Sequence, residues 1–208
     1  ENLHRKFTDA LIEDDLLAFL RGQYSSCGMT DSDFSTIIAH LRNIGGATDY
    51  IGHREAFKLY HDGVDFNFPD PSKPSVHVDY IDYTKTGYKH NIFRAVNQFE
   101  MHEGKENRRP DIMLFINGIP VGIIELKNPT DQNATIRDAH TQICVRYRRD
   151  IFSLLRYCAI ACISDGSNSR MGTVFTPYEF FYAWKKVHNG DKAGKGVDQM
   201  KSLIAGAL

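Results

Sequence analysis

Arg109-Pro110-Asp111-Ile112-Met113-Leu114-Phe115-Ile116-Asn117-Gly118-Ile119-Pro120-Val121-Gly122-Ile123-Ile124-Glu125-Leu126-Lys127 reads as two strands joined by a tight turn. Ile112 to Ile116 is one apolar run and Val121 to Ile124 is another. Asn117-Gly118 between them is the strongest short-range hairpin signal, because both residues tolerate positive φ. Polar residues then stand where a buried hairpin has no use for them. Asp111 enters the first strand directly after a proline. Glu125 and Lys127 close the second strand two positions apart, so their side chains share a face. Two carboxylates and an ammonium on neighbouring strands make a candidate divalent-metal site. Oxygen ligands suit Mg²⁺, which takes one or two carboxylates and keeps waters for substrate phosphates. A lysine beside such a site can orient an attacking water or stabilise charge on a phosphorane. A lone Glu-x-Lys is usually a solvated strand end. The conjunction with Pro-Asp, an apolar strand and a hairpin singles this one out.

Outward from the hairpin, the rest of the chain reads as its support. Leu3, Phe7, Ala10, Leu11, Leu17 and Leu20 recur at three- and four-residue steps, which predicts helix over 1–21, interrupted at Asp14-Asp15. Thr30 with Asp33 forms a capping-box-like start to a second helix, with Phe34, Ile37, Ile38 and Leu41 on one face and Gly45-Gly46 at its end. A short helix is expected near 55–61. Strands are expected over 64–68, 76–83 and 91–99, the last with Phe93, Ala95 and Phe99 on one face. A charged loop over 102–109 delivers the chain to Asp111. After Asn128-Pro129, a helix runs from about 134 to 150, with Ile136, Ala139, Ile143 and Tyr147 roughly on one face. A helical piece over 151–157, a buried strand over 158–163, a loop over 165–172, a short strand at Val174-Phe175 and a helix over 177–187 with Trp184 complete the pattern. The order predicts an α/β sandwich: a mixed central β-sheet flanked by helices, with extra N-terminal helices. The strand over 158–163 should lie parallel to the hairpin's second strand, by the usual right-handed crossover. Residues 1–188 read as one domain, with a helical part over about 1–61. Residues 189–208 read as a linker or terminal helix.

Composition narrows the class. With 208 residues, 42% hydrophobic and 25% charged, the chain has enough apolar material for one large core and no collagenous, disordered or membrane signature. No apolar run is long enough to span a bilayer, and the first residues lack a signal-peptide core. A net charge of −1 argues against coating nucleic acid with the whole surface and leaves a local basic patch open. Cys27, Cys144, Cys158 and Cys162 have neither CxxC pairing nor framework spacing. They are expected to be reduced thiols of a cytoplasmic protein, and no zinc site is expected.

Several blocks together carry a family resemblance: Asn91-Ile-Phe-Arg-Ala-Val-Asn-Gln98-Phe, Arg108-Arg109-Pro110-Asp111, Asn117-Gly-Ile-Pro, Ile124-Glu-Leu-Lys-Asn128-Pro129 and Ile163-Ser-Asp-Gly166. They resemble the N-terminal nuclease region of type I restriction enzyme R (restriction) subunits, within the PD-(D/E)xK nuclease superfamily. The resemblance runs from about residue 11 to residue 188. It implies a restriction-endonuclease-like fold and Mg²⁺-dependent hydrolysis of DNA phosphodiester bonds. Asp111, Glu125 and the carbonyl of Leu126 would be the metal ligands, and Lys127 would position water or stabilise the transition state. Family members carry Gln-x-x-x-Tyr on the following helix. This chain has Gln142-Ile-Cys-Val-Arg146-Tyr147, with the tyrosine one position late, so Gln142 joins the catalytic set. On an unbroken α-helix Arg146 lies nearly beneath Gln142. Arg146 is therefore expected to face the cluster or the DNA, and Tyr147 to pack beside the sheet, unless a bulge restores the register. Arg137, Arg146, Arg148 and Arg149 give this helix a basic character suited to DNA phosphates. Glu1 and Glu13 are both candidates for the superfamily's early-helix glutamate, and neither is selected.

Three classes of function follow. The favoured one is the endonuclease domain of a type I R subunit. The others are an independent repair or recombination nuclease and a non-catalytic DNA-binding or assembly module of the same fold. No Gly-x-x-x-x-Gly-Lys-[Ser/Thr] phosphate loop occurs. The resemblance implies an ATP-driven DNA motor in the parent subunit, so ATP would be used only by a motor domain outside these residues, and the chain is expected to be a fragment. The resemblance implies double-stranded DNA and the modification and specificity subunits as partners.

Overall fold

The computed structural model describes residues 3–128, 135–166 and 168–183. Three helices come first: α1 (Glu13–Tyr24), α2 (Asp31–Arg42) and α3 (Asp49–Asp62). α2 starts at the predicted capping box, with Thr30 and Asp33 each satisfying the other's backbone N–H. α3 is longer than the segment expected near 55–61, because Thr48 caps it at Ile51. α1 begins later than the periodicity suggested. Leu3 to Ile12 instead follows tertiary partners: the Arg5 guanidinium donates to the Glu100 carbonyl, and Ile12 N–H donates to Gly118 O at 2.9 Å.

A five-stranded mixed sheet forms the centre, in the order β3 (Phe93–Asn97), β6 (Ile112–Ile116), β7 (Ile119–Leu126), β8 (Ile160–Ser164), β9 (Ser169–Gly172). β8 lies parallel to β7, as expected; the other pairings are antiparallel. β9 occupies what the sequence suggested was loop, and Val174-Phe175 is a turn rather than a strand. Two short ribbons stand apart from this sheet. Among the described residues β1 (Val64–Phe66) pairs only with β2 (Val76–Val78), and β4 (Met101–Glu103) with β5 (Glu106–Arg108). The second is a hairpin through Gly104, at φ 62°, where a charged loop was expected. Of the helix expected over 177–187, the described part is a single 3₁₀ turn, Tyr178–Phe180; Trp184 and the expected 189–208 segment lie outside the described residues.

The turn of the central hairpin holds the two layers together. Asn117 and Gly118 have φ of 50° and 76°, the positive pair that a two-residue turn of this kind requires. Asn117 is fully buried. Its carbonyl oxygen accepts from Ile92 N–H, and its amide donates to Tyr80 O and Asn91 Oδ1. A Cβ on Gly118 would stand 2.0 Å from Ile12 O, so glycine also permits the contact with the entrance to α1. Arg94 on β3 then clasps Asp15 of α1 with two hydrogen bonds, of 2.7 and 2.8 Å.

Two large apolar cores result among the described residues, besides a small cluster around Ile124 and Cys162. Leu16, Leu20, Phe34, Ile37 and Leu41 of the N-terminal helices pack with Tyr80 and the hairpin end at Ile119. Met113, Phe115, Ile123, Ala161 and Ile163 of the sheet pack against Ile143, Tyr147, Leu154 and Leu155. Each fully buried aliphatic or aromatic side chain contributes about 1.5–3 kcal/mol. The helices over the second core are α4 (Ile136–Thr141), a π-helical turn (Gln142–Tyr147), α5 (Arg148–Asp150) and α6 (Phe152–Leu155). All four cysteines are free thiols. Among the described residues no helix is long and apolar enough to cross a membrane.

Candidate active site

β6 and β7 bring the two carboxylates together. Asp111 immediately precedes β6. Its Oδ2 accepts from the Leu126 backbone N–H at 2.8 Å, across the strand pair. Its Oδ1 accepts from Gln98 Nε2 at 3.0 Å, and the Gln98 N–H donates to the Asp111 carbonyl at 2.8 Å. Gln98 has φ 52°, left-handed for a residue with a side chain. That single residue breaks the alternation of the strand expected over 91–99. Phe93 is 49% exposed, whereas Val96 and Phe99 are buried, so the expected shared face of Phe93, Ala95 and Phe99 does not form. The role of Gln98 beside Asp111 escaped sequence reasoning, because a left-handed glutamine carries no local signal.

Glu125 lies near the end of β7, on the face that meets the π-helical turn. It is only 2% exposed, and its Oε2 has no hydrogen-bond partner among the described residues. Burial, and then the neighbouring charge of Asp111, push its carboxyl up to about 7, against the opposing pull of Lys127. Lys127 Nζ stands 3.4 Å from Glu125 Oε1 and donates to Gln142 Oε1 at 2.5 Å. Gln142 Nε2 in turn donates to the Tyr147 hydroxyl at 2.6 Å. Burial, followed by the charge of Glu125, raises the Tyr147 phenol above its ordinary range.

Tyr147 packs against the sheet, as expected, but its hydroxyl also joins the cluster, and Arg146 does not take the inward position expected of it. The cause is the π-helical turn. It adds one residue to the helix between Gln142 and Tyr147, so the fifth residue stands where an α-helix places the fourth. Val145 and Arg146 are exposed. The other arginines of this helix point to different partners. Arg148 pairs with Asp49 at 3.8 Å and lies over the Phe175 ring. Arg149 binds Asp150 at 2.5 Å, which also binds Arg108. Arg137 stacks on Tyr178. Glu13 opens α1 and pairs with Arg42, and Glu1 lies outside the described residues.

The site's chemistry fits a divalent cation. A buried carboxyl with an unmet oxygen, beside a second carboxylate and with a single ammonium at 3.4 Å, offers oxygens that a divalent cation would satisfy. Carboxylate and carbonyl oxygens are hard ligands of the kind Mg²⁺ and Mn²⁺ take. Among the described residues no group of three or more His, Cys, Asp or Glu side chains is gathered where it could hold a metal ion, so a cation here would rely on two carboxylates and backbone oxygen.

A mixed five-stranded sheet, flanked by helices and carrying an acidic pair and a lysine at adjacent strand ends, defines a restriction-endonuclease-like fold. The chain belongs to the family of the type I restriction enzyme R protein N terminus, whose sequence profile matches residues 8–180. It is 33% identical over 156 residues to the type I restriction enzyme HindI endonuclease subunit of Haemophilus influenzae, a match covering 73% of this chain and 14% of that protein. It is 29% identical over 145 residues to the type I restriction enzyme EcoprrI endonuclease subunit of Escherichia coli, covering 65% of this chain and 44% of that one. The chain thus spans less than half the length of either relative.

Proposed function

We propose that this chain is the DNA-cleaving region of a type I restriction R subunit and hydrolyses phosphodiester bonds with a divalent ion, Mg²⁺ in the first instance. Asp111, Glu125 and the carbonyl of Leu126 would hold it. The observation that carries this reading is the buried Glu125, with its unpartnered Oε2 beside Asp111, in a chain of the R-protein family. Bound there, such an ion supplies charge stabilisation to the phosphorane and acidifies a water.

The chain's own residues do the rest. Glu125 gives up its proton to serve as a ligand. The Leu126 N–H and the Gln98 amide orient Asp111, each occupying one carboxylate oxygen and leaving a lone pair on each for coordination. Gln142 accepts from the Lys127 ammonium and is itself tethered to Tyr147. That relay fixes where the remaining ammonium protons aim, at a phosphate oxygen or the attacking water.

The names of the relatives as endonuclease subunits of type I restriction enzymes, and their greater length, support a larger parent. In it we place an ATP-driven DNA motor beyond this chain, with modification and specificity subunits choosing the DNA site. The test is cleavage by the full-length subunit in its complex. Asp111→Ala, Glu125→Ala and Lys127→Ala should each lower cutting by about 10²–10³-fold or more while ATP hydrolysis continues. Normal cutting by any of the three refutes the assignment.

A further inference from the structure

Arg170 lies on β9, opposite Ile163, and Ile163 lies opposite Glu125 on β7. Residues paired across neighbouring strands share a face, so Glu125, Ile163 and Arg170 form one row on the side where the cluster sits. With strands about 4.8 Å apart, the backbone of Arg170 stands roughly 10 Å from that of Glu125. That places Arg170 beside the cluster on the same face, which suits contact with a neighbouring part of the same ligand. Its guanidinium lies 5.1 Å from the centre of the Tyr178 ring. Arg137, from α4, lies 5.2 Å from the same ring. Arg137 is carried by α4, which packs against β7 and β8.

Neither guanidinium has a carboxylate partner among the described residues, whereas Arg21, Arg42, Arg94 and Arg108 each close on one. Two guanidiniums without a carboxylate partner among the described residues thus lie over one phenol ring. A guanidinium presents its N–H edges as a fork that matches two oxygens of a phosphate.

We propose that Arg137 and Arg170, arrayed on Tyr178, are a phosphate-binding pair that takes the DNA backbone beside the cutting site. The proposal rests on the nuclease reading and adds to it a site for the flanking strand. Arg170 and Tyr178 lie beyond the helix whose basic character the sequence made visible.

The test is binding of a fluorescent 20-base-pair duplex to the 208-residue chain by anisotropy, over a series of salt concentrations without divalent ions. Each phosphate contact contributes about 0.9 to the slope of log K against log salt. Arg137→Gln with Arg170→Gln should reduce that slope by about 2, and Arg170→Gln alone by about 1. Arg170→Lys, which keeps the charge, should retain most of it. A contact that merely holds the 178–180 turn in place would alter the melting temperature and leave the slope unchanged. If the native chain binds the duplex and the double variant shares its slope, the pair is not a DNA site and the nuclease reading stands. If the native chain binds no duplex, the pair is no DNA site in this chain and the proposal falls, whereas the nuclease reading is decided by cleavage in the full-length subunit. If inorganic phosphate binds the native chain and not the double variant, while duplex affinity is equal in the two, the pair serves a free anion and the proposal is overturned.

Discussion

Replacing Glu125 by glutamine should make the metal-free chain more stable at pH 8, by up to about 3 kcal/mol. Glu125 is only 2% exposed, and burial with the Asp111 charge moves its carboxyl from an ordinary 4.5 to about 7. In the unfolded chain the group titrates at its ordinary value. Between these two values the folded protein keeps a proton that the unfolded chain has released. Stability therefore falls as pH rises through this window and levels off above it. A tenfold change in proton affinity corresponds to about 1.4 kcal/mol, so the whole interval amounts to about 3 kcal/mol. Glutamine is isosteric and does not ionise, so its stability should show no such decline. Urea unfolding of both proteins at pH 5, 6, 7 and 8 with chelator, followed by circular dichroism, measures the difference. The two should differ by less than about 1 kcal/mol at pH 5 and diverge towards pH 8. Millimolar Mg²⁺ should then close the gap by binding only the native site, as linkage requires. Parallel pH profiles would show that Glu125 ionises without penalty and would remove the argument that the site calls for a cation.

Three further outcomes follow from the same geometry. Gln98→Leu should lower cleavage by about tenfold or more through a misoriented Asp111, the scale seen when a group supporting a metal ligand is lost, with little change in melting temperature; unchanged cleavage would show that Leu126 N–H suffices. Deleting Val145, which is 55% exposed, should turn the π-helical turn into α-helix and keep Tyr147 bonded to Gln142, so the deletion variant should fold and cut; a hundredfold loss of cutting would contradict the register argument. Asp150→Asn should cost about 1.5–3 kcal/mol at pH 7 in urea unfolding, because Asp150 is buried and takes charged hydrogen bonds from Arg149 and Arg108. Arg149 first and Arg108 second hold its carboxyl below the ordinary range, so its contribution is full above the unfolded carboxylate value and fades as pH falls through the lowered folded one.

The parts of the site that were legible in the sequence are those written in local pattern. Asn117-Gly118 marked the turn, alternation placed Glu125 and Lys127 on one face, and Pro110-Asp111 marked the strand entrance. The relation of β8 to β7 was legible too, because a helix between two apolar strands leaves few alternatives. The rest depended on partners distant in sequence. Gln98 adopts a left-handed backbone against its own preference, with its N–H on the Asp111 carbonyl and its side chain on the Asp111 carboxylate. Tyr147 enters the cluster through one extra residue in a helical turn, and α-helical spacing assigned that place to Arg146. β9 is short, with Ser169, Arg170, Met171 and Gly172 lacking β-branched or alternating character, and only pairing with β8 makes it a strand. Asn117 was read for its backbone alone, yet its side chain joins Tyr80, Asn91 and Ile92.

The central claim is that Asp111 and Glu125 share a catalytic divalent ion. Crystals of the chain soaked in Mn²⁺, with anomalous diffraction recorded at the manganese edge, address it directly. The account predicts an anomalous peak bonded to an oxygen of each carboxylate, with the Leu126 carbonyl turned towards it, and no peak at this position in Glu125→Gln. A soaked native crystal with no peak between the two carboxylates, or with its only ordered ion elsewhere, would contradict it.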